Sequence, residues 1–165
     1  MRKKWLVLIF GFFVVLLAAY GLGFRWNYSW SVPIGLWRLE DRKIIRRGDY
    51  VQVSPNASVW YRLGVEREYY REGAYLLKKV VAIEADLVSY DLAEKSLTVG
   101  GAFIPISEIR SRDVMGRAMP SPQFPIRLKP NEAWLASDNE RGYDSRYFGP
   151  VSLELLRPAR LVIAW

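Results

Sequence analysis

An uncharged apolar run near the N-terminus limits the folding of this chain more than any other feature. Residues 5–24, with the sequence WLVLIFGFFVVLLAAYGLGF, carry no charged side chain. An α-helix of this length extends about 30 Å, the thickness of the hydrocarbon core of a bilayer. Three basic residues precede the run: Arg2, Lys3 and Lys4. Because positive charge favours the cytoplasmic side, residues 1–24 are predicted to anchor the chain with its N-terminus in the cytoplasm.

This prediction places residues 25–165 on the outer, periplasmic face of a bacterial inner membrane, as the exported part of a single-pass protein. Aromatic residues flank the predicted exit point, as in the aromatic belts of membrane proteins: Tyr20, Trp26, Tyr28, Trp30 and Trp37. The alternative is a cleaved signal peptide, with Ala19-Tyr20-Gly21 as its cleavage site. The apolar run is longer than the core of a usual signal peptide, which favours a retained anchor.

The chain contains no histidine and no cysteine, which excludes several classes of site. Ser-His-Asp triads, thiol nucleophiles, disulfides, histidine-ligated haem and Cys/His zinc centres all need one of these residues. We expect no metal and no cofactor. A hydroxyl nucleophile in such a chain needs a base other than imidazole, and lysine can serve when burial lowers its pKa towards neutrality.

The net charge of +7 would suit nucleic acid, anionic lipid or an acidic protein. The basic residues form two separate groups, one before the apolar run and one at residues 42–47. No nucleic-acid-binding motif surrounds either group. A lipid surface or solvent is therefore favoured over nucleic acid as the partner of these charges.

The exported part is predicted to be mostly β structure, because short alternating or apolar runs are separated by turn residues. Strands are predicted at residues 50–53, 74–83, 87–90, 96–99, 134–136 and 161–165. Gly100 and Gly101 predict a hairpin turn. The polar residues 56–73 are predicted to form an inserted loop or short helix. Residues 119–130 hold four of the nine prolines and are predicted to be irregular or at a sheet edge.

Ser31 lies seven residues after the apolar run, within NYSWSVPIGLW. Seven extended residues reach at most about 25 Å, so this serine is predicted to lie near the membrane surface. Pro33 and Gly35 favour a turn, which can expose a hydroxyl group and a backbone N–H. A single serine before Val-Pro is usually structural, so the meaning of Ser31 depends on its partners.

Lys78 and Lys79 interrupt the apolar run LLKKVV at residues 76–81. In a strand the two lysines point to opposite faces, Lys78 on the face of Leu76 and Lys79 on that of Leu77. Apolar neighbours on both faces favour desolvation of at least one ammonium group, which lowers its pKa. Alternation does not identify which lysine would be a base. The structural alternative is that the aliphatic parts of both lysine side chains pack against apolar neighbours while both ammonium groups reach water.

The segment SDNERGYDSRYFGP, residues 137–150, concentrates hydrogen-bonding side chains in a turn-rich region. Such a composition predicts a buried polar network. Taken alone, Asp144 and Arg146 are more simply interpreted as an ordinary ion pair. The three segments together support a more specific interpretation.

In order along the chain, these segments resemble the boxes of type I signal peptidases, and most closely those of the conjugative-transfer branch, the TraF-type peptidases. The matching segments are SVPIG at residues 31–35, GDYV at 48–51, LKKV at 77–80, SDN at 137–139 and DSRYFGP at 144–150. The resemblance covers nearly the whole chain, including the predicted anchor. It implies a mainly β fold with two antiparallel sheets, preceded by one transmembrane helix.

The resemblance also implies roles for individual residues. Ser31 matches the nucleophile and Lys78 the general base, while Ser29 matches a hydroxyl that helps the Ser31 amide to hold the oxyanion. Three residues match positions that support the site: Asp144, Ser145 and Arg146. Three others match the walls of shallow pockets for small side chains: Val32, Leu76 and Leu77. Gly142 departs from the family, because a serine that supports the lysine is common there, and Ser137, Ser145 or water would have to replace it.

The function implied by the resemblance is that of a membrane-anchored serine endopeptidase. It would cleave exported precursors, either signal-peptide-bearing proteins or a pilin or other conjugation precursor, through an acyl-enzyme. The expected partners are the precursor, the lipid bilayer and the conjugation or secretion machinery. Two alternatives stay open: a non-catalytic assembly or binding protein on the same fold, and a general housekeeping leader peptidase.

Overall fold

The computed structural model describes residues 2–42, 44–55 and 59–165. Helix α1 (Arg2–Gly21) begins the chain. Its Lys3–Gly21 part has the length and apolar composition of a membrane span, with a mean hydropathy of 2.1, and none of it is buried in the protein. A signal sequence has the same properties. Lys43, in the second basic group, and residues 56–58, in the predicted insertion, lie outside the described residues.

The described residues form eleven β strands in two antiparallel sheets. In chain order the strands are β1 (Phe24–Asn27), β2 (Gly35–Leu39), β3 (Tyr50–Val53), β4 (Leu76–Ile83), β5 (Leu87–Asp91), β6 (Ser96–Val99), β7 (Ala102–Phe103), β8 (Ile126–Arg127), β9 (Glu132–Ala136), β10 (Val151–Ser152) and β11 (Leu156–Ala164). The larger sheet has the order β1-β2-β11-β3-β4-β9-β10, and the smaller one has the order β7-β6-β5-β8. The predicted fold class, mainly β with two antiparallel sheets, is confirmed.

The six strands predicted from the sequence are confirmed as β3, β4, β5, β6, β9 and β11. β11 begins earlier than predicted because Pro158 is accommodated within it. This residue faces Val51 of β3, and pairing with β2 starts only at Ala159. β1 and β2 were not predicted, since the residues around them were interpreted as a turn. The prediction for residues 119–130 is confirmed, as only the short β8 forms there, at the edge of the smaller sheet.

Buried apolar residues join the two sheets and support the loop that carries Ser31. One cluster contains Ala82 of β4 and Trp134 of β9 together with Val88 and Leu97 of the smaller sheet. Another cluster lies next to Ser31 and consists of Val32, Trp37, Leu39, Leu77 and Ala159. Because β2, β4 and β11 all contribute to this second cluster, the Ser31 loop is packed directly on the strand that contains Lys78.

Helix α2 (Val59–Glu66) lies within the segment predicted as an insertion. Aromatic side chains attach it to residues 137–150, since the ring of Trp60 stacks on that of Phe148 with centroids 4.0 Å apart. The hydroxyl of Tyr143 donates to the backbone carbonyl of Trp60 at 3.3 Å. Helix α2 is therefore fixed beside the polar segment.

Candidate active site

Ser31 lies in the loop between β1 and β2, and one buried side chain organises this loop. Asn27 donates through Nδ2 to the carbonyl oxygens of Ser29, Val32 and Pro33, at 2.9, 3.2 and 3.1 Å. Its Oδ1 accepts from the backbone N–H of Ser29 at 3.1 Å. The Ser31 carbonyl in turn accepts from the backbone N–H of Asp138 at 2.8 Å. These bonds connect the Ser31 loop to the polar segment at residues 137–150.

Sequence reasoning did not identify Asn27 as the organiser of this loop. Asparagine side chains commonly bond to backbone groups a few residues ahead, and proline and glycine follow here at positions that favour a turn. That combination is the signal that was available in the sequence.

Lys78 is almost fully buried, with 3% of its surface exposed. Its Nζ lies 3.4 Å from Ser31 Oγ and 2.6 Å from Ser137 Oγ. Loss of water around the amine lowers the pKa of Lys78 to about 8, with the carboxylate of Asp144 opposing this effect and the Arg146 guanidinium adding to it. At neutral pH a fraction of Lys78 is therefore uncharged, and a neutral amine can accept the proton of a nearby hydroxyl.

Lys79 occupies the opposite face of β4 and is only half-buried. Its Nζ lies 5.8 Å from the ring centroid of Tyr50. Of the two lysines that alternation left equivalent, the structure places Lys78 beside Ser31.

Asp144 and Arg146 form a buried ion pair below the site, with 0% and 2% of their surfaces exposed. Arg146 Nε donates to Asp144 Oδ1 at 2.8 Å. The same guanidinium donates to five backbone carbonyls, those of Ile106, Glu108, Asn139, Glu140 and Gly142. A buried ion pair with its remaining donors satisfied is a rigid support, because removal of either partner leaves an uncompensated charge.

Asp144 also fixes the position of Ser137. Its Oδ2 accepts from the Ser137 backbone N–H at 2.9 Å. Asp144 is in addition the N-cap of helix α3 (Ser145–Phe148), where its side chain accepts from the backbone N–H of Arg146. The chain of contacts runs from the ion pair through Ser137 to the amine of Lys78.

Ser145 is completely buried, and its hydroxyl accepts from the backbone N–H of Leu135 at 2.9 Å. It holds β9 against α3. Besides that of Ser31, the hydroxyl that bonds to the Lys78 amine within the described ranges is that of Ser137.

The space around Gly142 leaves no room for a side chain at this position. A Cβ at this position would overlap the side chain of Ser137 and would lie 3.0 Å from the carbonyl oxygen of Asn139. Ser137 thus occupies the volume that a side chain at position 142 would need. A serine at position 137 and a glycine at position 142 are a matched pair in this structure.

Ser29 is exposed, and its hydroxyl donates to Asn27 Oδ1 at 2.8 Å. A role as donor to an oxyanion requires this hydroxyl to turn away from Asn27. Of the predicted pocket walls, Leu76 lines the cavity beside Ser31. Val32 and Leu77 instead pack in the buried cluster around Trp37.

A cavity of about 630 Å³ opens beside Ser31 and Lys78. Its walls include Tyr69 and Tyr70, which follow α2, and Tyr143 of the polar segment. The volume is sufficient for several residues of an extended peptide. No cluster of three metal-binding side chains of the His, Cys, Asp or Glu type occurs in residues 2–42, 44–55 and 59–165.

Similarity to known proteins identifies the family of this chain. The family described as "Signal peptidase, peptidase S26" matches residues 3–165. The "Conjugal transfer protein TraF" of Agrobacterium fabrum is 33% identical over 147 residues, which cover 82% of this chain and 81% of that protein. The "Probable conjugal transfer protein TraF" of Sinorhizobium fredii is 33% identical over 167 residues, covering 91% and 85%.

Among solved structures, a signal peptidase I from Enterococcus faecalis matches with a TM-score of 0.41 and 16% identity, covering 73% of this chain and 97% of that one. The extent of the family match and of the identity to the two relatives is decisive for classification. The chain belongs to the signal peptidase family, peptidase S26, in the branch that includes the TraF conjugal transfer proteins.

Proposed function

We propose that this protein is a serine endopeptidase in which Ser31 is the nucleophile and Lys78 the general base. The observation that carries the proposal is the position of a buried, desolvated amine 3.4 Å from the Ser31 hydroxyl. A base must lie within hydrogen-bond reach of the proton that it removes and must have a pKa near the working pH. Lys78 meets both requirements.

The reaction begins with neutral Lys78, which takes the proton of Ser31 as Oγ attacks the scissile carbonyl. The resulting tetrahedral oxyanion is held by the Ser31 backbone N–H and by the Ser29 hydroxyl after it leaves Asn27, each contributing about 3 kcal/mol. Collapse releases the amine half of the substrate, which takes up the proton from Lys78, and leaves an ester on Ser31. Water or a peptide amine then attacks the ester and gives a proton to neutral Lys78, which passes it to Ser31 Oγ as the bond between that oxygen and the acyl carbon breaks. The product is either linear or joined through a new amide bond.

Asp144, Arg146 and Ser145 support this site without reacting. In this proposal α1 is retained as a single-pass anchor in the inner membrane and residues 25–165 carry the peptidase on the periplasmic side. The substrate is an exported precursor. The names of the relatives associate those proteins with conjugal transfer, so a conjugation precursor such as pilin is the first substrate to test.

Gly142 is the departure from the family resemblance that would favour a non-catalytic assembly protein, because the resemblance implies a lysine-supporting serine at that position. The 2.6 Å contact between Ser137 Oγ and Lys78 Nζ weakens that argument. In this chain the hydroxyl that supports the amine comes from a neighbouring position.

The proposal predicts a covalent intermediate on Ser31. The full chain in detergent is mixed with an ester analogue of a peptide that has small residues at the cut, because an activated ester acylates faster than an amide. After an acid quench, mass spectrometry of the fragment containing Ser31 is expected to find the acyl group on that residue. The same protein unfolded before mixing is the control. An acyl group on a residue other than Ser31 would contradict the assignment. Equal acylation of the native and the unfolded protein would contradict it as well.

A second prediction concerns pH. Because burial lowers the pKa of Lys78 to about 8, the neutral amine becomes scarcer as the pH falls below that value. The ratio kcat/KM is expected to rise about tenfold per pH unit below the pKa and to level off above it. Steady-state cleavage of an uncharged peptide between about pH 6 and pH 9.5 measures this profile. A flat profile across that interval would exclude Lys78 as the base.

A further inference from the structure

We propose that Arg112 and Arg141 bind a carboxylate side chain of the substrate, so that preferred precursors carry an aspartate or glutamate within a few residues of the scissile bond. This inference rests on the proposed peptidase function and names a class of substrate for it. Both arginines line the same cavity as Ser31 and Lys78.

The charges of the cavity are only partly compensated. Besides Lys78, its lining contains these charged residues: Arg110, Arg112, Asp113 and Arg141. Arg110 is paired with Glu140 at 2.8 Å, and Asp113 is paired with Arg117 at 2.7 Å. Among the described residues, neither of the other two arginines has an acidic partner.

The uncompensated charge is therefore positive and belongs to Arg112 and Arg141. The tyrosines of the wall do not offset it, since burial raises the pKa of Tyr143 to about 12 and keeps its hydroxyl neutral. Both arginines are exposed, so each is open to a carboxylate of a bound peptide, and a guanidinium binds a carboxylate through charge-assisted hydrogen bonds. A peptide in this cavity would supply the missing negative charge.

Arg112 is presented by a rigid hairpin. Asp113 accepts from the backbone N–H groups of Met115 and Arg117, at 2.9 Å each. Its Oδ2 accepts from the hydroxyl of Tyr69 at 2.7 Å, which ties the hairpin to the insertion. The Arg112 guanidinium itself donates to the carbonyl oxygen of Gly116 at 2.6 Å. Because the hairpin and the Arg112 guanidinium are already fixed, binding of a ligand there costs little conformational entropy of the protein.

Arg141 lies in the turn that also carries the supports of the site. Its backbone N–H donates to Asn139 Oδ1 at 2.9 Å. The carbonyls of Asn139 and Glu140 accept from the buried Arg146 guanidinium at 3.0 and 3.3 Å. The backbone of this turn is therefore held by the same ion pair that positions Ser137, and a substrate contact with Arg141 bears directly on alignment at the reacting groups.

The experiment uses matched peptides, acetylated and amidated, that have small residues at the cut and differ only by glutamate or glutamine at one position. Peptide pairs are made with this glutamate or glutamine at each of the three positions before the cut and each of the three positions after it. The full chain in neutral detergent is expected to cleave the glutamate peptide about tenfold faster, as kcat/KM, at one of these positions. Arg112→Gln and Arg141→Gln are expected to reduce that preference to near unity while leaving the glutamine peptide almost unaffected. Higher ionic strength should weaken the preference.

Arg127→Gln provides a matched control, because this exposed arginine lies on β8 and bonds to the carbonyl oxygen of Ala85, away from the cavity. Equal cleavage of both peptides at every position by the unchanged protein would overturn the proposal. Equal loss on both peptides in the arginine variants would assign these residues a structural role instead. A loss that occurs only in anionic lipid vesicles, and equally for both peptides, would show that the arginines contact lipid headgroups.

Binding separates this inference from the proposed function. In the Ser31→Ala variant, tryptophan fluorescence measures the affinity for each peptide without any reaction. Tighter binding of the glutamate peptide, lost in Arg141→Gln, supports the carboxylate site even when no cleavage is found. Cleavage without any difference in affinity or rate between the two peptides leaves the peptidase proposal intact and contradicts the arginine site.

Discussion

Ser31→Ala and Lys78→Met are each expected to lower the rate of precursor cleavage by at least about 10³-fold, and the double variant should be no slower than either single variant. Without Ser31 Oγ no acyl-enzyme forms. Without the Lys78 amine the hydroxyl keeps its proton and remains a weak nucleophile. The two groups act in the same step, so removal of either one already abolishes that step. Removal of the second group is therefore expected to cause no additional loss of rate. Methionine retains the buried apolar stem of the lysine, so the fold is expected to persist.

Lys79→Met is the matched control for Lys78→Met, since it makes the same substitution one residue away on the opposite face of β4. Cleavage by this variant should remain within about threefold of the original, because changes at a half-exposed position away from the reacting groups have small effects. Thermal unfolding of all variants checks that they are folded. Equal loss of activity in both lysine variants, or normal cleavage by Lys78→Met, would remove Lys78 from the mechanism.

The strands were predictable from the sequence where a short periodic run ends in turn residues. Residues 50–53 and 96–99 have the predicted bounds as β3 and β6. β2 was missed because the pattern at residues 31–37, with a proline and a glycine, is also that of a turn. Its pairing with β11 is a contact between residues far apart in the chain, and periodicity within a short segment carries no information about such a contact.

The candidate site was predictable in its residue types but not in its internal contacts. The choice between Lys78 and Lys79 depended on the resemblance, because alternation assigns the two residues to opposite faces without saying which face is buried deeper. Pairing between β3 and β4 sets Val51 opposite Lys78. This register forms only when the sheet assembles, so the sequence of β4 alone does not predict it. The contact of Ser137 with Lys78 was one of three options in the sequence, and only the three-dimensional packing around Gly142 distinguishes among them.

Exchange of the residues at positions 137 and 142 tests whether the Ser137 hydroxyl positions the amine. Ser137→Ala removes the partner 2.6 Å from Lys78 Nζ. A loss of about 10²-fold in kcat/KM is expected, since small misplacements of reacting groups are costly. Gly142→Ser alone is also expected to be nearly inactive, because its Cβ would overlap the side chain of Ser137.

The double variant Ser137→Gly with Gly142→Ser vacates that volume and places a hydroxyl in the space that the Ser137 side chain filled. It also keeps the backbone N–H that donates to Asp144. Its kcat/KM is expected to recover to within about tenfold of the original. The dependence of kcat/KM on pH should again level off above the pKa of Lys78. The matched control is Ser137→Gly with Gly142→Ala, which fills the same space without a hydroxyl and should stay impaired. Equal activity of these two double variants would assign the loss in Ser137→Ala to packing. The hydroxyl oxygen accepts an N–H of Lys78, which leaves the single lone pair of the neutral amine directed at the proton of Ser31, and a methyl group cannot accept that bond.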